Sequence, residues 1–232
     1  MQERADSSPA IVFEGLLVIV GGGMVDYELL RALHASGGHL LGADGGADQI
    51  VAAGLLPEAI IGDLDSLADP LSWIGRTKLL RIAEQDTTDF EKALYSTYAP
   101  VTIALGMTGK RLDHTLAALD ALARYATDRV IIVVDETDLA VALSGSFSFE
   151  VDAGDRVSVH PLLPISFRRS IGLKYPLDRL KLAPGVRTGT SNEAELGPFR
   201  IDPEPRSKAP WLLILDRKYL FAVAAAATAA RG

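Results

Sequence analysis

A chain of 232 residues with 48% hydrophobic and 23% charged side chains has the composition of a globular protein and can bury the core of one large or two small domains. A net charge of -7 without a basic run argues against a nucleic-acid surface, and the absence of cysteine excludes disulfides, thiolate zinc sites and a cysteine nucleophile. The opening MQERADSSPA lacks the basic region and apolar stretch of a signal peptide, and the apolar run 220–230 is too short to span a bilayer. A cytoplasmic protein without a membrane segment is expected.

In chain order, apolar β-type runs fall at 16–20, 39–43, 58–61, 78–83, 100–105 and 129–134. Helical patterns sit between most of them, at 25–36, 46–53, 88–98 and 113–126, the last with Leu116, Leu119 and Leu122 marking its expected buried side. This alternation predicts an α/β fold with a parallel sheet, right-handed crossovers and helices on both faces. After Asp138 the texture changes to short segments such as 146–151 and 156–160, punctuated by glycine and proline, and then a strand at 211–215. That pattern predicts an all-β sandwich. The expected organisation is therefore an α/β domain over 1–138 followed by a β-sandwich domain over 139–232, closed by an alanine-rich terminal helix.

The chemistry gathers where strands end. Ala59, Ile60 and Ile61 close an apolar run, Gly62 turns the chain, and Asp63-Leu64-Asp65-Ser66 follows. In an extended segment residues i and i+2 share a face, so Asp63 and Asp65 are expected together. Two charges about 4 Å apart repel by roughly 4 kcal/mol near a protein surface, a penalty that a cation removes. Magnesium suits such a pair, because it takes one or two carboxylates together with phosphate oxygens. For an isolated Asp-x-Asp, turn capping is the commoner explanation. Two further strand ends carry aspartate, however: Asp44-Gly45-Gly46 after 39–43, and Gln85-Asp86-Thr87-Thr88-Asp89 after 78–83. In an open parallel sheet all three loops border one crevice.

Other candidates divide into rejected and open. Gly21-Gly22-Gly23 follows the first strand, but the third glycine of a dinucleotide fingerprint would fall on Asp26. Its glycines either cradle phosphate or serve a tight turn. Gly106-Met107-Thr108-Gly109-Lys110-Arg111 has two residues between its glycines where a P-loop needs four, and Leu67 breaks the phosphatase pattern D-x-D-x-[TV]. Asp86 or Thr87 can cap the helix after them, and Asp113 or Thr115 the helix at 113. Lys92 lies one turn after Asp89, and Arg111 is suited to bidentate binding of phosphate. His34, His39 and His160 lack ligand-like spacing, and His114 reads as an ordinary, partly buried histidine.

Taken in order, ADGGAD (43–48), GDLDS (62–66), QDTTDFEKAL (85–94), RLDHTLAAL (111–119), GLKYPLD (172–178) and TSNE (190–193) resemble the thiamine pyrophosphokinase family. The resemblance implies an α/β nucleotide domain followed by a β-sandwich, assembled as a homodimer. It also implies transfer of the diphosphate of ATP to the hydroxyl of thiamine, giving thiamine diphosphate and AMP. Carried over by position, Asp44, Asp63, Asp65 and Asp89 would hold Mg-ATP, with Gln85, Lys92, Arg111 and Asp113 in the phosphate wall. Arg111 would act with Asp63, Asp65 and Asp89 in catalysis, and Asp65 or Asp89 could accept the alcohol proton. Ser191 and Asn192 would approach thiamine at the dimer interface. The loop 107–110 and segment 194–210 depart from the family pattern. Alternatives are pyrophosphoryl transfer to another alcohol, such as a hydroxymethylpterin, and a non-catalytic nucleotide-binding regulator.

Overall fold

A computed structural model of the chain describes residues 8–67 and 69–231. Residues 1–7, on which the expectation about a signal peptide largely rests, lie outside them. The first half alternates as its pattern predicts. After the short β1 (Ile11–Val12) come β2 (Leu16–Val20), α1 (Tyr27–Ala35), β3 (His39–Ala43), α2 (Gly46–Ala52), β4 (Ala59–Gly62) and β5 (Lys78–Arg81). The chain then returns through α3 (Asp89–Ser96) and β6 (Thr97–Tyr98) to β7 (Val101–Leu105), α4 (Leu112–Tyr125) and β8 (Val130–Val134). The strands pair in parallel in the order β8-β7-β2-β3-β4-β5. Because β3 and β7 flank β2 on opposite sides, the point where the winding reverses lies between β2 and β7, and the strand C-termini open there. The central strand LLVIV is apolar throughout because both of its faces are covered.

Local chemistry sets the helix starts. Asp26 caps α1 by accepting from the amides of Glu28 and Leu29. Thr88 caps α3, so neither Asp86 nor Thr87 does. No side chain caps α4, which starts at Leu112 rather than at Asp113. The buried face of α4 also differs from the expected one. Leu122 is enclosed and Leu119 half-buried, but Leu116 is 58% exposed, while Ala118, Ala121 and Tyr125 complete the inner face. Alanines let the helix approach the sheet closely, which rotates the leucine row toward its edge.

Beyond Val134 the strands run antiparallel. They are β9 (Asp138–Leu143), β10 (Phe147–Phe149), β11 (Arg156–Pro161), β12 (Ile165–Ile171), β13 (Lys181–Leu182), β14 (Gly189–Glu193), β15 (Phe199–Pro203) and β16 (Trp211–Asp216), before α5 (Leu220–Ala229). Four of them extend the first sheet, as β14-β11-β16-β9-β8, and the other four form a separate antiparallel sheet, β10-β15-β12-β13. The change of texture at Asp138 is thus a change of strand direction inside one continuous sheet. The small sheet packs on that sheet through Phe167 and Trp211, whose rings meet edge-on with centroids 5.7 Å apart. One core runs along this face, joining Leu30 and Leu33 of α1 to Phe199, Trp211 and Val223. On the opposite face Phe90 and Leu94 of α3 pack with Leu122 of α4. Among the described residues no helix is long and apolar enough to cross a membrane.

Candidate active site

Three strand-end loops converge at the carboxyl edge of β3, β4 and β5. One carboxylate oxygen from each of Asp44, Asp63 and Asp65 lies within 4.8 Å of the others. Gly62 allows this approach: a Cβ there would stand 2.8 Å from the Asp44 Cβ and 3.0 Å from Asp89 Oδ1. The pair 63/65 does not meet by extended-strand alternation. Leu64 sits at φ 68°, and Asp63 Oδ1 accepts from the Asp65 amide at 3.2 Å, so a turn brings the two together. Asp44 is also left-handed, at φ 45°. Such conformations cost a non-glycine residue of order 1–3 kcal/mol and concentrate at functional sites.

Asp44 carries the electrostatic tension of the cluster. It is 2% exposed. Its Oδ2 accepts from the Ser66 amide at 3.1 Å, whereas its Oδ1 is buried without a hydrogen-bond partner. Burial raises its pKa above 3.8; Ser66 opposes this, and the charges of Asp89 and Asp63 add to it. Asp63 shifts the other way, because the Gln85 side chain donates to its Oδ2 at 2.9 Å, the Asp65 amide donates as well, and Lys92 lies close. The Lys92 ammonium is 2% exposed and stands 3.0 Å from Asp89 Oδ1 and 3.9 Å from Asp63 Oδ2. Asp89 is thus tied to Lys92 beside the group that Asp44, Asp63 and Asp65 form. An orphaned, buried carboxylate oxygen within a set of hard oxygen donors fits magnesium, which would satisfy Oδ1 and remove the repulsion.

Beside the cluster lies a cleft of about 430 Å³, a size suited to a small molecule. Its lining includes Asp44, Ser66 and Asp89 as well as Lys110, Arg111 and His114, and none of the described residues after Ala118 contributes. The glycines after β2 pack against the end of β7 and also line the cleft. The amides of Gly21 and Gly23 donate to the carbonyls of Leu105 and Gly106, zipping the ends of β2 and β7 together. A Cβ on Gly23 would lie 2.4 Å from the Gly106 oxygen, whereas one on Gly22 would meet nothing within 4 Å. Lys110 donates to the Gly22 carbonyl at 2.7 Å, so the loop 107–110 that departs from the family pattern is built into the cleft wall. His114 is exposed at the cleft rather than partly buried.

Arg111 reaches the cleft with its guanidinium gripped by Asp113, through Nε at 3.1 Å and a second nitrogen at 2.6 Å. That grip, together with the His114 amide, draws the Asp113 pKa down to about 2. Asp113 itself does not line the cleft, and neither do Gln85 and Lys92. Ser191 and Asn192 lie on the edge strand β14, away from the cleft lining of the same chain. Ser191 is exposed at φ 60°. Asn192 is buried and spends its amide on the backbone of Tyr175, accepting from its N–H at 2.9 Å and donating to its carbonyl at 2.7 Å. It thereby joins two of the segments noted above, GLKYPLD and TSNE. Sequence reasoning missed Ser66 as the partner of Asp44, although it lies inside GDLDS, and Glu84, which precedes QDTTD and carried no signal.

The sheet with its acidic carboxyl edge belongs to the open α/β proteins that take ligands at the strand ends. Within that class, residues 31–134 match the family model described as thiamin pyrophosphokinase, catalytic domain. Thiamin pyrophosphokinase 1 of Caenorhabditis elegans is 29% identical over 152 residues, covering 59% of this chain and 62% of that protein. The thiamine pyrophosphokinase of Bacillus subtilis (strain 168) is 26% identical over 164 residues, covering 66% of this chain and 77% of the relative. The match to the Caenorhabditis elegans protein thus spans less than two thirds of its length. In three dimensions the chain is similar to the thiamin pyrophosphokinase of Geobacillus thermodenitrificans, with a TM-score of 0.71 at 26% identity over 87% of this chain and 97% of the other. The yeast thiamin pyrophosphokinase shares the fold at 16% identity, with a TM-score of 0.70 over 90% and 92% of the two chains.

Proposed function

We propose that this chain is a thiamine diphosphokinase, moving the diphosphate of ATP to the hydroxyl of thiamine and releasing AMP. The observation that carries the reading is the unpartnered Asp44 Oδ1, buried among carboxylates at the mouth of a glycine-walled cleft. Such a site is incomplete without a cation, and an acidic cation site accepts a nucleotide only through divalent metal. Asp44, Asp63 and Asp65 would hold magnesium, which when bound supplies positive charge to the phosphate oxygens. Asp89, placed against Lys92, would complete the acidic set toward the substrate.

Transfer of this kind is mostly positioning and charge stabilisation. Lys92 is held in place by Asp89 and Asp63 and offers fixed positive charge at the acidic end. Arg111, held by Asp113 through Nε and one terminal nitrogen, keeps three N–H donors that would meet the phosphate oxygens of departing AMP. Gln85 fixes the orientation of Asp63. The proton of the incoming alcohol would pass to a nearby carboxylate, Asp65 or Asp89. We further propose a division into a catalytic part, 1–138, and a thiamine-binding and dimerisation part, 139–232. A homodimer would bring the partner's exposed β14 edge, with its left-handed serine, to this cleft. A cytoplasmic location is part of the same proposal.

The test is direct: incubate the protein with Mg-ATP and thiamine and follow the nucleotides. AMP should appear one-for-one with thiamine diphosphate and stop on chelation of magnesium. ADP as the product would overturn the reading, and light scattering from a fully active monomer would remove the dimer.

A further inference from the structure

The loop from β5 to α3 brings Gln85 to Asp63 and leads into α3, which carries the Asp89–Lys92 pair, yet residues 82–88 contain no helix or strand to hold it. One carboxylate does that work. Glu84 accepts from the amides of Asp86 at 2.6 Å and Thr87 at 3.1 Å, from the Thr87 hydroxyl, and from the Tyr95 hydroxyl at 3.0 Å. Four donors fill about the four acceptor sites a carboxylate has. Burial opposes its charge, but the bonds from Thr87, Asp86 and Tyr95 together outweigh it and keep the carboxyl below its usual range. Burial and the same contact push Tyr95 up to about 12, so the phenol remains a donor. Tyr95 sits near the end of α3, so Glu84 ties the start of the loop to the helix into which the loop leads. The residue next to Glu84 is Gln85.

We propose that Glu84 is a positioning residue for the metal–phosphate site. By clamping residues 84–87 against Tyr95 of α3 it presents Gln85 to Asp63, so that carboxylate is in place before a cation arrives. Glu84 touches neither metal nor substrate, and its assignment rests on reading the cleft as a Mg-ATP site. Gln85 is the group bonded to the metal-holding Asp63; loss of such a partner typically changes metal affinity by about 10–100-fold, and Glu84, acting through Gln85, belongs at the lower end.

The experiment uses the full chain and Mn2+ as the probe, with bound metal counted by electron paramagnetic resonance and the metal dependence of AMP release followed in parallel. Glu84→Ala should weaken Mn2+ binding by about tenfold and raise half-saturating Mg2+ to match, while kcat at saturating metal stays within about threefold. Glu84→Gln, which keeps one acceptor oxygen but turns an NH2 toward the amides, should fall between Glu84→Ala and the parent. Tyr95→Phe, losing one donor of four, should show the smallest change. If Glu84→Ala does not fold, the other two variants decide by the same readout. A cooperatively melting Glu84→Ala that binds Mn2+ as tightly as the parent, or one that loses kcat without losing metal affinity, overturns the assignment. A parent chain that binds no Mn2+ overturns the Mg-ATP reading and the assignment with it.

Discussion

Asp44 and Asp202 make an instructive pair. Both are nearly sealed from solvent, at 2% and 1% exposure, and each keeps one buried oxygen without a hydrogen bond. Their neighbours have opposite signs. Asp202 lies on β15 among Arg168, Arg169 and Arg200, with nitrogens at 3.7, 3.6 and 2.8 Å. An irregularity in pairing between Phe167 and Arg169 places two consecutive arginines within reach of it. Asp44 lies with Asp63 and Asp65, one carboxylate oxygen of each within 4.8 Å of the others, and no cation is paired with it among the described residues. Burial pushes both pKa values up; at Asp202 the Ser146 hydroxyl and the arginines outweigh it and lower the value, while at Asp44 the neighbouring charges add to it. Burial of an acid is therefore not by itself the mark of a site. A carboxylate already balanced by the fold is structural, and one whose neighbours repeat its charge waits for a cation.

The hardest test of this contrast is activity. Asp63→Asn and Asp65→Asn keep size and turn-forming ability but remove charge, and AMP release should fall at least about hundredfold. Asp202→Asn should leave the rate within about twofold. A normally melting Asp63→Asn with near-full activity would return the acidic turn to simple capping and dissolve the contrast.

Metal should separate the two aspartates next. Magnesium at about a hundred times its dissociation constant should add about 2.7 kcal/mol to the stability of the parent. Denaturant melts with and without Mg2+ should show most of that gain lost in Asp44→Asn and all of it kept in Asp202→Asn. Equal gains in both variants would place the metal elsewhere.

Without metal the stability effects should have opposite signs. Asp202→Asn should lose about 1–3 kcal/mol, reduced by the solvent exposure of its arginines. Asp44→Asn should gain up to about 1 kcal/mol as like-charge repulsion is relieved. A stability loss in both would mean that Asp44, too, is balanced by its surroundings.

The smallest effect is on pH dependence. The folded pKa of Asp44 is raised above 3.8, so the folded chain binds a proton that the unfolded chain has released. Its contribution therefore destabilises increasingly as pH rises from 3.8 through that higher value. The folded pKa of Asp202 is lowered, so its stabilisation is present above 3.8 and is lost as pH falls through the lower value. In chelator, melts across the acid range should show Asp44→Asn removing the first slope and Asp202→Asn the second.

Much of the α/β half and of the candidate acidic cleft was legible because its signals are local. Runs such as LLVIV and VIIVV are buried strands by composition alone, and aspartates placed directly after such runs must lie at the strand ends. The misreadings came from contacts with distant chain. Leu116 has the right helical spacing, but the alanine face of α4 sets how closely the helix lies on the sheet. Glu84 is an unremarkable acid until Thr87 and Tyr95 fold back onto it.

By itself the sequence determined the order and type of the elements and the positions of the acidic loops, since hydrophobic period and turn chemistry act over a few residues. Only the tertiary structure decided that strands on either side of Asp138 share one sheet, that Leu64 turns left-handed to join Asp63 to Asp65, and that Asp44 lacks what Asp202 has. Those outcomes depend on which charges and backbones meet across the fold, and pairing energies between residues far apart in the chain leave no local pattern to read.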